Sequence, residues 1–302
     1  MSATNVSENH PPHRIFSPGR IWAISVNTLT ELVRLKVFYF LLIFAIALIG
    51  SSAFLVRMSF QEQFQVLKDI SLGAMSIFSA LLTMLATAMM LPKDVEDRTL
   101  YTILAKPVPR FEYLLGKLGG VLLLVAIAVI AMSLVFGIAL MVRYAQVSAD
   151  MQAEMAAASP EELQTALLAL RAQIFDPALL PAIGLIYLKA CIFASVTLFL
   201  STLSSSWIFT VMMAVVVYLI GHMQGEARDY VMTAQEGTWW TRLLFGAIAI
   251  IFPDLQLFNL VDDIAVGAAI SWGLLWKTVG LGVLYFVIYT AASYFVFAGK
   301  EY

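Results

Sequence analysis

Few residues of this chain could do chemistry, because only 13% of its 302 residues are charged. The most charged stretch, "KDVEDRTLYTILAKPVPRFEYLLGK", runs from Lys93 to Lys117 between two long apolar runs. Lys189 is the only basic residue well inside an apolar run, and a charge within a membrane is costly enough to be a candidate for function. If its helix begins late, after Pro181 and Gly184, the ammonium snorkels to the outer interface, which is the interpretation that we favour.

The sequence lacks the residue patterns of catalysis and metal binding. It has one cysteine, which cannot form an internal disulfide, and three scattered histidines, which are too few for a zinc or iron cluster. No His-Glu-x-x-His, Gly-x-Ser-x-Gly or aspartate cluster supplies the nucleophile, base or metal of a membrane-embedded enzyme. Gly116 and Lys117 belong to no Walker A loop, because no glycine stands five residues earlier. We therefore predict no enzyme activity, no metal site and no cofactor for this chain.

Apolar runs long enough to cross a bilayer dominate the sequence. Hydrophobic residues make up 61% of the chain and the mean hydropathy is +0.87, which excludes an ordinary soluble domain. A span needs roughly 20 mostly apolar residues. The candidates are Val37 to Val56, Leu72 to Leu91, Leu118 to Val142, two runs between Pro181 and His222, and Thr278 to Ala298. The predicted fold class is all-α, a polytopic membrane protein with about six transmembrane helices.

The distribution of charge predicts the orientation of the chain. With the N-terminus inside, the inner segments hold more basic than acidic residues, and the outer segments hold the reverse. Basic residues favour the cytoplasmic side. We therefore predict a multi-pass protein of the cell (inner) membrane with both termini cytoplasmic. Residues 1–16 are polar and contain two prolines, so they are predicted to be a disordered cytoplasmic tail and not a signal peptide.

The charged stretch predicts a short helix on the cytoplasmic side. Asp94 would cap a helix over Val95 to Leu104, with Glu96 and Asp97 in its first turn, where acids favour the helix dipole. Pro107 would end it, because the residue before a proline avoids the helical region. One face of this helix is apolar and consists of Leu100, Ile103 and Leu104. The pattern suits the groove of a partner protein, although a solvated connector explains the charges equally well.

Two further features are predicted on the outer side. The outer insertion, residues 143–177, contains a helix that Ser159 caps, with Glu162 three residues later, and that lies on the membrane or on its neighbours. The outer re-entrant region, residues 243–276, holds two apolar stretches that are too short to cross and are separated by a break at Pro253. Such stretches enter a membrane only when they pack against other helices.

Small residues predict where the spans pack closely. Gly116 and Gly120 form a Gly-x-x-x-Gly pair at the start of the third run, a pattern typical of close helix contact. The second run is rich in glycine, alanine, serine and threonine, which favours a helix-packing face. Lining a translocation path is the alternative for this second run.

The charged stretch resembles the coupling-helix segment of type-two (ABC-2) ABC exporter permeases. The positions that match are Glu96, Thr99, Leu100, Ile103, Leu104, Pro107, Val108, Arg110, Gly116 and Lys117. A second stretch, "NTLTELVRLKVFYFLLIFA", resembles the elbow helix and first span of the subgroup that includes the nitrous oxide reductase maturation permease. Glu31 and Arg34 lie on the polar side of that elbow helix. The chain departs from many relatives at Arg98, where they have glycine, and in its larger outer insertion.

The resemblance implies a permease subunit of an ABC exporter. Its expected partners are cytoplasmic ABC ATPase subunits, which bind ATP and Mg²⁺, a second permease copy or a homologue, and membrane lipid, with no nucleic acid. The residues implied in ATPase coupling are Asp94, Glu96, Asp97, Arg98, Thr99, Leu100, Ile103, Leu104, Pro107 and Arg110. The alternative is a membrane anchor or sensor that recruits an ATPase for mechanical work without solute transport.

Together these patterns predict one transmembrane domain behind a short tail. The tail is residues 1–16 and the permease domain is residues 17–302. Within the domain we expect an amphipathic elbow helix over residues 18–36, a coupling helix over 93–110, the outer insertion and the outer re-entrant region.

Overall fold

The fold is all-helical in the part of the chain that the structure describes. The computed structural model describes residues 17–52, 60–96, 109–155, 159–174, 176–204, 206–233, 239–240, 252–258 and 272–300. The helices are α1 Pro18–Val33, α2 Lys36–Ser52, α3 Phe60–Glu96, α4 Arg110–Glu154, α5 Pro160–Ile174, α6 Leu179–Leu203, α7 Trp207–Thr233 and α8 Trp272–Gly299, with a 3₁₀ turn at Gln256–Phe258. The predicted all-α class is confirmed. The predicted tail, residues 97–108 of the predicted coupling helix, and residues 243–251 and 259–271 of the predicted re-entrant region lie outside the described residues.

Long apolar helices form the body of the protein. Among the described residues, α3, α4, α6, α7 and α8 are each long and apolar enough to cross a membrane. The shorter α2 follows α1 at a bend of 72°, and counting this bent pair as one span brings the number to six. The chain is a multi-pass membrane protein. We call the side on which α3 ends and α4 begins the inner side, following the predicted orientation.

The first helix, α1, packs along α4 with one face and exposes the other. Pro18 occupies its first position, where the missing N–H costs nothing. Ser25, Thr28 and Leu32 are buried, whereas Trp22 is 62% exposed. The bend of 72° after α1 gives the geometry of an elbow, with one face of α1 on the bundle and the other exposed among the described residues.

Glycines allow the close approach of α1 and α4. A Cβ atom added at Gly116 would lie 2.6 Å from the Ile24 Cβ, and one added at Gly120 would lie 2.8 Å from the backbone oxygen of Ser25. The Ser25 hydroxyl uses this proximity to donate a hydrogen bond of 2.9 Å to the carbonyl of Gly116. The predicted close helix contact at this glycine pair is confirmed, and its partner is the elbow helix.

The third span continues far beyond the predicted membrane boundary at Val142. At a rise of about 1.5 Å per residue, the 45 residues of α4 extend for more than twice the ~30 Å hydrocarbon core of a bilayer. The chain then returns as α5, whose start has the predicted reciprocal cap between Ser159 and Glu162, with bonds of 3.2 and 3.3 Å. Leu170 and Ile174 are buried in the main core. The predicted amphipathic helix therefore packs on its neighbours.

The break in the predicted re-entrant region is buried in the bundle. The N–H of Leu255 donates a 3.0 Å bond to the carbonyl of Gly221 in α7, and the Gln224 amide donates one of 3.0 Å to the carbonyl of Phe252. Phe258 is buried in a cluster with α6 and α8 side chains. α8 begins at Trp272, so the last residues of the predicted re-entrant region belong to the last span.

Candidate functional site

Charged side chains from α1, α3 and α4 meet at the inner side of the bundle. The Lys117 ammonium lies 2.6 Å from an oxygen of Asp94 and 3.6 Å from an oxygen of Glu31. The Lys93 ammonium lies 3.0 Å from the other oxygen of Glu31, and the Tyr113 hydroxyl donates a hydrogen bond to Asp94. Asp94, Tyr113 and Lys117 are buried, with 5%, 1% and 4% of their surfaces exposed. We call these five residues the inner ion cluster.

Positive and negative groups alternate in the inner ion cluster, which favours the ionised form of Glu31. Partial burial opposes ionisation of Glu31, but the hydrogen bond from Lys93 and the charge of Lys117 outweigh it and lower the pKa of this carboxyl. A carboxyl whose pKa is lowered on folding stabilises the fold above its ordinary pKa. That contribution is lost as the pH falls through the lowered value. The cluster therefore holds α1 to α3 and α4 at neutral pH.

A second ion pair fixes the start of α1 to the start of α4. The Nε and Nη2 atoms of Arg20 approach the two oxygens of Glu112 to 2.7 and 2.9 Å. The backbone N–H of Ser17 donates a further bond of 2.7 Å to the same carboxylate. Glu112 is 1% exposed, so its charge is compensated by a two-point arginine contact, the stronger kind of ion pair.

Arg110 ties the start of α4 to the end of the last helix. Its Nη1 atom donates to the carbonyls of Ala298 at 2.7 Å and Lys300 at 3.1 Å. The last carbonyls of a helix have no partner within the helix, and a cation there also interacts favourably with the helix dipole. Arg110 therefore serves as a C-terminal cap for α8.

We expect the substitution Arg110→Gln to loosen the last turn of α8. The loss of a charged donor to these carbonyls should cost about 1–2 kcal/mol. Amide hydrogen exchange in residues 292–300 should then speed up about tenfold. Arg171→Gln, at an exposed position of α5, is the control and should leave this exchange unchanged. Equal exchange rates in Arg110→Gln and the unsubstituted chain would contradict the capping role.

The structure changes the interpretation of Asp94. α3 runs without a break through Pro92 and Asp94 to Glu96, so the prediction that Asp94 caps a separate helix is wrong. Its carboxylate is directed at Lys117 and Tyr113, which the N-cap prediction from local sequence did not consider. Among the other predicted coupling residues, Asp97, Arg98, Thr99, Leu100, Ile103, Leu104 and Pro107 lie outside the described residues. Glu96 ends α3, and Arg34 is exposed after α1.

Lys189 forms a second polar centre, within the membrane-spanning bundle. It is 4% exposed, and its ammonium lies 2.9 Å from the Nε2 atom of His222 and donates to the hydroxyl of Ser76 at 3.4 Å. Because α6 begins at Leu179, Lys189 lies almost three turns into the helix. The interpretation that Lys189 snorkels to the outer interface is therefore wrong: its ammonium lies between α3 and α7.

Histidine and aspartate complete this centre. The Nδ1 atom of His222 lies 3.0 Å from the carbonyl of Tyr218 and must donate to it, so Nε2 of the neutral ring accepts from Lys189. Asp254 is buried at the break of the predicted re-entrant region and interacts electrostatically with His222. Sequence reasoning missed Ser76 and His222 as partners of Lys189, because they lie on different helices and no local pattern connects them.

Comparison with known proteins identifies no family for this chain. No protein-family model matches the chain, and no curated protein matches it.

Proposed function

We propose that the chain is the transmembrane permease subunit of an ABC exporter. In this proposal it lies in the cell membrane with both termini in the cytoplasm and pairs with a second permease copy or a homologue. Separate cytoplasmic ATPase subunits bind and hydrolyse ATP, and the segment between α3 and α4 receives their movement. The resemblance of this segment to coupling helices motivates the proposal.

The observation that carries the proposal is the anchoring of both ends of this segment. It leaves the end of α3 beside Asp94, which pairs with Lys117, and it enters α4 at Arg110, which caps α8. A force on residues 97–108 would therefore act on α3 and α4 together, and through the inner ion cluster on α1. A coupling element must be rigid to shift the bundle between two arrangements that ATP and substrate bias differently.

The direct test is to identify what co-purifies with the full chain. A tagged chain would be isolated from its native membranes in mild detergent, and the bound proteins would be identified by mass spectrometry. We expect an ATPase with a Walker A motif at about one copy per permease. Purification of intact, abundant chain without any ATPase would overturn the proposal.

Two substitutions in the coupling segment should separate docking from folding. We expect Glu96→Lys and Leu100→Asp each to lower the recovery of the ATPase at least tenfold, which corresponds to about 1.4 kcal/mol of binding free energy. Charge reversal opposes the docking contact in the first variant, and a buried carboxylate opposes it in the second. Glu154→Lys, at an exposed position on the outer side, is the matched control. Unchanged ATPase recovery with both coupling variants would exclude the docking role.

A further inference from the structure

An apolar cleft lies between α3 and α7, beside the polar centre at Lys189. Its volume is about 100 Å³, and its walls include Ile77, Ala80 and Met84 of α3, Phe193 of α6 and Tyr218 of α7. Apolar cavities of about 150 Å³ in proteins bind small hydrocarbons such as benzene. The cleft is smaller than such a cavity, so it would enclose only a short part of a hydrocarbon chain.

The polar centre lies at one end of this cleft. Ser76 of α3 contacts Lys189 of α6, and Lys68, which is earlier in α3, interacts electrostatically with Asp176, which precedes α6. The two helices α3 and α6 therefore run in the same direction. Phe193 and Tyr218 are in ring contact, with centroids 5.4 Å apart. Lys189 precedes Phe193 by four residues in α6, and His222 follows Tyr218 by four residues in α7, which runs in the opposite direction. Lys189 and His222 therefore both lie one helical turn from the cleft, toward the outer side.

We propose that this cleft and Lys189 bind a single-chain amphiphile with an anionic head, such as an alkyl phosphate. The chain lies in the cleft and the head receives hydrogen bonds from the Lys189 ammonium and the Ser76 hydroxyl. The 3.4 Å distance between these two groups is long for a hydrogen bond. An anionic oxygen therefore competes well for the lysine donor, since it adds the attraction of opposite charges in a low-dielectric environment.

The surrounding charges select among possible heads. A cationic head would lie close to the ammonium of Lys189 and be repelled in a low-dielectric environment. Asp254 interacts electrostatically with His222 of the same centre and disfavours an anion there, so an anionic head must be held by hydrogen bonds as well as by charge. With the chain on the inner side of its head, the ligand has the orientation of a molecule of the outer leaflet. This site lies beyond the proposed function, because it uses none of the residues of ATPase coupling.

Photo-crosslinking tests the site on the purified full chain without any ATPase. A diazirine-bearing alkyl phosphate would be added in nonionic detergent, and labelled peptides would be identified by mass spectrometry. We expect labels within residues 76–84 and 215–218, displaced at least tenfold more effectively by dodecyl phosphate than by dodecyltrimethylammonium. Inorganic phosphate should not compete, because it lacks the chain. Equal competition by the two dodecyl compounds, effective competition by inorganic phosphate, or labels spread over the surface would overturn the proposal.

Variants separate the role of the head from that of the chain. Lys189→Met should reduce labelling at least tenfold, and Ile77→Trp should reduce it similarly by filling the cleft mouth. Lys68→Met is the matched control and should leave the labelling unchanged. It removes another buried lysine of the bundle, 5% exposed, that interacts with Asp69 and Asp176. Undiminished labelling of a monodisperse Lys189→Met protein would contradict the proposal. Should that variant not fold, the competition between head groups on the unsubstituted chain decides.

Discussion

Replacement of Lys117 by methionine should destabilise the folded protein by about 3–5 kcal/mol, the usual cost of leaving a buried charge without its partner. Lys117 is 4% exposed and lies 2.6 Å from Asp94, which is itself 5% exposed. Methionine fills a similar volume, so the loss comes from charge and hydrogen bonding. The Tyr113 hydroxyl remains near Asp94 but cannot replace a positive charge. The measurement is the free energy of unfolding in mixed detergent micelles, followed by tryptophan fluorescence.

Lys93→Met is the matched control for this prediction. Lys93 forms an ion pair of 3.0 Å with Glu31, but its side chain is 44% exposed. Exposed pairs of this kind contribute about 0–1 kcal/mol. Equal losses in the two variants would show that burial of Lys117 does not govern the energetics of the inner ion cluster.

A double substitution tests the pairing itself. Asp94→Leu combined with Lys117→Met removes both buried charges, and such replacements are often nearly neutral. We therefore expect the double variant to be more stable than either single variant. Losses that simply add would argue against direct coupling between the two residues.

The substitution Gly120→Leu should force α1 away from α4 and destabilise the protein by at least about 3 kcal/mol, as severe overpacking does. Even the first side-chain atom would lie 2.5 Å from the Cβ of Thr28 and 2.8 Å from the backbone oxygen of Ser25. The backbone of a neighbouring helix cannot move aside as the end of a flexible side chain can. We expect fast hydrogen exchange throughout residues 18–33, together with a lower midpoint of unfolding.

Gly137→Leu gives the control on the same helix. Among the described residues, no atom outside the neighbouring backbone of α4 lies within 4 Å of a Cβ added at Gly137. Leucine also forms helices more readily than glycine by about 1 kcal/mol, so this variant should be neutral or slightly more stable. Destabilisation of both variants to the same extent would indicate a general intolerance of α4 and not a contact with α1.

Together the two predictions describe how α4 is joined to its neighbours on the inner side. Its contact with α1 depends on the absence of a side chain at Gly120, and its contact with α3 depends on the compensated buried charge of Lys117. The proposed transmission of force from residues 97–108 depends on both, because a loose elbow would absorb movement of α3 and α4. If an ATPase co-purifies with the chain as proposed, variants that detach α1 and still recover it would show which contacts the proposed transmission needs.

Local sequence determined the elements of this protein and several of their contacts. Apolar runs of sufficient length predicted the long helices, since backbone polar groups in lipid must be satisfied within the segment. The pair Gly116 and Gly120 predicted a close helix contact, and Ser159 with Glu162 predicted the start of α5. These signals are properties of neighbouring residues, so they can be recognised along the chain.

Tertiary structure alone decided the partners of the charged groups. Asp94 has the spacing of a helix cap, yet the continuing helix α3 carries it to Lys117, and Lys189 binds groups separated from it by 113 and 33 residues in sequence. A buried charge takes whichever compensating group the packing of the helices brings near. Hydropathy and helical spacing do not contain that information, because they describe each helix without its neighbours.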